Sequence, residues 1–92
     1  MTTTFADMLA RLERCEDPAR LEHYADEANV REWNDDRGGT HSWCVLVMGA
    51  QGRCFRLVSS NPAGMREGEA RSWAYAVRSK AGERLAAMLQ PA

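Results

Sequence analysis

Trp43-Cys44-Val45-Leu46-Val47-Met48, Gly49-Ala50-Gln51-Gly52 and Arg53-Cys54-Phe55-Arg56-Leu57-Val58-Ser59 run without a break and read as a β-hairpin. Two segments rich in β-branched and aromatic residues flank a turn bracketed by glycines, so they can pair and bury alternate side chains. Turn length sets the register, and the register decides what faces the core. A two- or four-residue turn groups Cys44, Leu46 and Met48 with Phe55 and Leu57; a bulged turn with Gly52 in the left-handed region groups Trp43, Val45 and Val47 with that same pair. Either way Arg56 has the opposite parity to Phe55 and points away from the core, whereas Arg53 lies at the turn.

Upstream of the hairpin, Asn34-Asp35-Asp36-Arg37-Gly38-Gly39 has the composition of a loop, and Asn29 to Trp33, through which a preceding helix could also continue, reads as a short strand or extended segment. The first helix is signalled by Thr4 with Asp7 three residues on, ahead of Phe5, Met8, Leu9, Leu12 and Cys15 on one face, and should end near Glu16. Asp17 as N-cap and Pro18 at the first helical position open a second, with Leu21, Tyr24, Ala25 and Ala28 at helical spacing. Downstream, a long helical pattern begins near Arg66 and carries Ala70, Trp73, Ala74, Val77, Ala81, Leu85, Met88 and Leu89; Gly82 is a point where it can bend or split. The expectation is a small single α+β domain spanning 1–92. It has two N-terminal helices, an antiparallel hairpin or three-stranded sheet, and a long C-terminal helix packed on the sheet.

The 92 residues, 45% of them hydrophobic, suffice for one core. No long uncharged apolar run suggests a membrane span, and Thr2 to Thr4 followed by Asp7 does not resemble a secretory leader, so a cytoplasmic protein is expected. Three cysteines without Cys-x-x-Cys spacing suggest reduced thiols rather than a disulfide framework or a zinc site, and no bridge is expected between Cys44 and Cys54. The net charge of −1 hides a polarity: residues 1–46 hold ten acids and five bases, residues 47–92 three acids and seven bases. Lys80 is the only lysine, and arginine offers a planar fork suited to phosphates and carboxylates.

Nothing here has the spacing of a catalytic motif, so neither enzyme activity nor a cofactor is expected. His23, near Asp26 and Glu27, reads as a solvated helix residue, and His41 and Cys44 sit at strand positions that face opposite ways. The glycines serve turns and form no phosphate loop, and the Asp-rich loop lacks the calcium-binding spacing, so no metal is expected either. The constellation that stands out is Arg71, Tyr75 and Arg78, one stripe of the last helix, where arginines interleaved with an aromatic can grip phosphate and stack a base. Arg66, Lys80 and Arg84 are positioned in sequence to extend it, with Arg53 and Arg56 from the hairpin. Asp26, Glu27, Glu32, Asp35 and Asp36 form an acidic counterpart that can dock on a basic protein.

From Met1-Thr2-Thr3-Thr4-Phe5-Ala6-Asp7-Met8-Leu9-Ala10, through the hairpin, to the arginine-rich last helix, the chain resembles the small phage-encoded type I-F anti-CRISPR proteins. It shares their size, mixed α/β layout and lack of catalytic motifs. The resemblance implies a stoichiometric inhibitor in the host bacterial cytoplasm. Such a protein binds the Cas surveillance complex and keeps its guide RNA from pairing with target DNA. The acidic residues would then meet basic grooves of Cas backbone subunits, and the arginines would touch guide-RNA phosphates. The order of elements is also similar to a double-stranded-RNA-binding domain, although Gly64-Met65-Arg66-Glu67-Gly68-Glu69-Ala70 has no lysine where such domains are lysine-rich. A homodimer formed through the exposed hairpin face is a third reading.

Overall fold

In the computed structural model, which describes residues 2–34, 43–49 and 52–90, Thr4 opens helix α1 (Phe5–Arg14). Its hydroxyl accepts the Asp7 N–H at 3.0 Å, satisfying one of the donors a helix start leaves unpaired. Asp17 does the same for α2 (Pro18–Ala25), accepting from the Ala19 N–H at 3.0 Å with Pro18 preset for the first turn. That helix stops at Ala25, short of Ala28, because Asp26 leaves helical geometry and its carboxylate takes the Ala28 N–H at 2.9 Å.

The expected strand at Asn29 to Trp33 is present one residue later, as β2 (Val30–Asn34). It pairs antiparallel with β3 (Trp43–Met48), which pairs antiparallel with β4 (Cys54–Leu57). Val45 lies opposite Leu57 and Val47 opposite Phe55. This is the bulged register, with Gly52 at φ 83° and its N–H donating to the Gly49 carbonyl at 3.1 Å. Val45, Val47, Phe55 and Leu57 are accordingly buried, and Trp43 is half-buried against them. The three cysteines are unbridged; Cys54 stands opposite Met48 and Cys44 opposite Trp33.

Further features differ from expectation. A two-residue strand β1 (Thr2–Thr3) runs parallel to β4, so the sheet has four strands in the order β1-β4-β3-β2. Two residues carry too little pattern to be read as a strand. Helix α3 (Glu67–Leu89) runs through Gly82 without a break, since packing against the rest of the fold outweighs the glycine's penalty of about 1 kcal/mol. Its last apolar residue, Leu89, is 68% exposed rather than in the core.

The helices lie on one sheet face, with α3 against α1, α2, β2 and β3. Its contact line is Ala70, Ala74, Val77 and Ala81, all fully buried, and these short side chains let the helix come close to Val30, Val45 and Val47. Phe5 of α1 stacks on Trp73, ring centroids 4.6 Å apart. Among the described residues no helix is long and apolar enough to cross a membrane.

Candidate partner-binding surface

The apolar line of α3 is flanked by bases on both sides. At 100° per residue, Arg71, Tyr75 and Arg78 fall roughly 70–130° to one side of it and Lys80 and Arg84 roughly 50–90° to the other. The two flanks meet different neighbours. Lys80 does not extend the Arg71 stripe: it pairs with Glu13 of α1, and Arg84 donates through Nε to the Cys15 carbonyl at 3.2 Å. The hydrogen bond and charge of Lys80 hold the Glu13 carboxyl below its ordinary range.

On the other flank Arg71 binds Glu67, one helical turn before it, at 2.8 Å and reaches Glu32 of β2 at 3.8 Å. Arg78 donates to the Val30 carbonyl at 2.6 Å. Glu32 is available because it shares parity with Val30 and so lies on the face covered by α3. Glu32, Arg71 and Arg78 line one open cleft of about 590 Å³ with Asp26, Glu27 and Arg31. Acidic and basic sets that are far apart in sequence thus come together, and Arg31, which sequence reasoning passed over, joins them. Alternation along β2 would have put Arg31 on the other face, so no sequence signal pointed to its place in the cleft.

Tyr75, one turn along α3 from Arg71 and Arg78, does not line this cleft and is 68% exposed, the ring projecting from the middle of a helix. Arg66 is the N-cap residue of α3 and is exposed, with no side-chain capping bond. Arg53 is exposed at the hairpin turn, where its carbonyl accepts the Gly49 N–H at 2.5 Å. Arg56 lies on the sheet face away from the helices, as its parity required, but is half-buried. Asp35, Asp36 and His41, with the loop reading built on them, lie outside the described residues.

His23 is not a solvated helix residue. Its Nε2 is 2.5 Å from the Met48 carbonyl and its Nδ1 3.4 Å from the Asn29 amide, so the Nε2–H form donates to β3 and ties the end of α2 to the sheet. Among the described residues no group of His, Cys, Asp and Glu is arranged to hold a metal ion. Chemically, the surface offers a projecting aromatic, a mixed-charge cleft and guanidinium groups already oriented by neighbours. Comparison with known protein families, with curated proteins and with solved structures finds no match for this chain.

Proposed function

We propose that this protein acts by non-catalytic binding, as an inhibitor of a type I-F CRISPR-Cas surveillance complex in the bacterial cytoplasm, the partner implied by the resemblance of its sequence. The observation that supports a binding role is Tyr75, 68% exposed on α3 one turn from Arg71 and Arg78, which line the cleft with Glu32. Tyrosine and arginine are the residue types that dominate the energetics of protein interfaces, and an arginine held by Glu67 and Glu32 loses less freedom on docking. The cleft carries both signs of charge, which suits a protein surface better than a bare phosphate chain. In this reading a Cas backbone subunit docks on the cleft. Guide-RNA phosphates fall to Arg53 and Arg66, for which the described residues provide no ion pair.

The test is co-elution with a purified type I-F surveillance complex, combined with a gel-shift assay of target-DNA binding by that complex. The wild-type protein is expected to co-elute and to block DNA binding. Replacing Tyr75 and Arg71 with alanine should weaken association by about tenfold or more. Failure of the wild type to associate would sink the inhibitor reading. Undiminished association of the variant would sink this surface alone.

One observation favours a second reading. From α2 onward, after β1 and α1, the order helix, three antiparallel strands, long helix is that of a double-stranded-RNA-binding domain, and it requires β2 to be a strand. Against it, the first turn of α3 carries Glu67 and Glu69. Salt-sensitive binding of the isolated protein to duplex RNA would favour this reading.

A further inference from the structure

The cleft between α1 and α2 shares no lining residue with the α3 surface. It is about 610 Å³ in volume, inside the range of about 300–1,000 Å³ typical of small-molecule sites. Its floor is Met8, Leu12 and Tyr24, and three arginines surround it, Arg11 and Arg14 from α1 and Arg20 from α2. We propose that this cleft binds a phosphate-bearing ligand of nucleotide size.

The argument is one of charge, valence and shape. A guanidinium presents a planar fork that meets phosphate oxygens two at a time, and three forks on one cleft match a group with more oxygens than a single carboxylate. Arg14 and Arg20 have no ion pair among the described residues, unlike Arg71 and Lys80 on α3. Arg11 is held over the Phe55 ring, 5.1 Å from its centroid, a contact that uses the cation's charge and leaves its N–H donors for an oxygen ligand. Two acids also line the cleft, Glu16 and Asp17, but one Asp17 oxygen already accepts the Ala19 N–H at the start of α2. That bond leaves the Asp17 charge in place, so both acids oppose an anion and the three arginines outnumber them by one; Glu16 is the acid that caps no helix. Met8, Leu12 and Tyr24 are almost wholly buried in the core, so the ligand would be held through its phosphate and the arginine forks, and the cleft's volume limits its size.

The same chemistry is offered by a free nucleotide and by a nucleotide within a strand, so the experiment has an arm for each. ATP and a 5′-phosphorylated ten-nucleotide single strand are titrated separately into the 15N-labelled full chain, and the arginine Nε–H signals are followed. At least one probe is expected to shift Arg14 and Arg20 saturably, and which one does so identifies the source. Arg14→Gln with Arg20→Gln should weaken that binding at least tenfold. Glu16→Gln, which removes one of the two opposing charges and is independent of whether the double variant folds, should strengthen it. The proposal is overturned if neither probe shifts these signals or if the arginine variant binds as the wild type does. Binding of a glutamate-rich peptide in place of both probes would likewise overturn it and point to an acidic protein segment.

Discussion

Glu13 and Lys80 join α1 to α3 at the surface, and the pair makes a pH-dependent tie of known sign. The lysine's hydrogen bond, then its charge, lower the Glu13 pKa in the folded protein. A depressed carboxylate contributes its stabilisation in full above the unfolded-state pKa and loses it as pH falls through the folded one. Lys80→Met is expected to return the Glu13 titration midpoint, followed by its side-chain carboxyl 13C shift, to the ordinary glutamate range; an unchanged midpoint would mean that the pair does not form in solution. Arg78 has a different task. Its bond to the Val30 carbonyl at 2.6 Å caps β2, the outer strand of the sheet, on the side where another strand would add. Arg78→Met keeps the aliphatic stem and removes the donor. It should destabilise the fold by about 1–3 kcal/mol in urea melts, the range for losing a charge-assisted bond to a half-buried group. Unchanged stability would show that the bond contributes nothing.

Among the elements, the hairpin and α3 show how far a sequence can be read. Alternation of side chains from Trp43 to Leu57 identified two strands, yet it allowed two registers, because the choice rests on one backbone angle at Gly52 rather than on hydrophobicity. Helix α3 was legible from Ala70, Trp73, Ala74, Val77 and Ala81, since a spacing of three and four repeats along one face. The partners of its flanking bases were not legible, because Glu13, Glu32, Val30 and Cys15 are brought to α3 by the fold and have no local signal. The two glycines in these elements should behave oppositely. A Cβ added at Gly82 meets nothing within 4 Å, so Gly82→Ala should stabilise the protein by up to about 1 kcal/mol. Gly52 also has space but sits at φ 83°, where an L-residue costs about 1–2 kcal/mol, so Gly52→Ala should destabilise by that amount. Thermal melts of the two variants moving in the same direction would contradict the roles assigned to these positions.

At the scale of the whole molecule, the charge polarity of the chain is partly offset within the fold before any partner is met. Of the seven bases after residue 46, Arg71, Arg78, Lys80 and Arg84 all reach back to residues of the first half. Two of these ties are ion pairs, Glu32 with Arg71 and Glu13 with Lys80, and all four residues keep a substantial part of their side-chain surface in water. Pairs of this kind contribute about 0–1 kcal/mol each and are weakened by salt, whose screening length shortens from about 30 Å at 0.01 M to about 10 Å at 0.1 M. For a chain of this size about 1 kcal/mol corresponds to about 4–8 °C in Tm. Raising sodium chloride from 10 to 500 mM should therefore lower the Tm by a few degrees. Salt also acts on apolar surface and on the other charges, so the decisive comparison is with a variant in which Glu13, Glu32 and Arg71 become Gln and Lys80 becomes Met. That change removes two acids and two bases, leaving the formal net charge at −1 and its general screening unaltered. The variant's Tm should start lower and depend less on salt than the wild type's. Parallel salt curves for the two proteins would mean that the halves are held together by the apolar line of α3 alone, and that its flanking bases remain at the disposal of a partner.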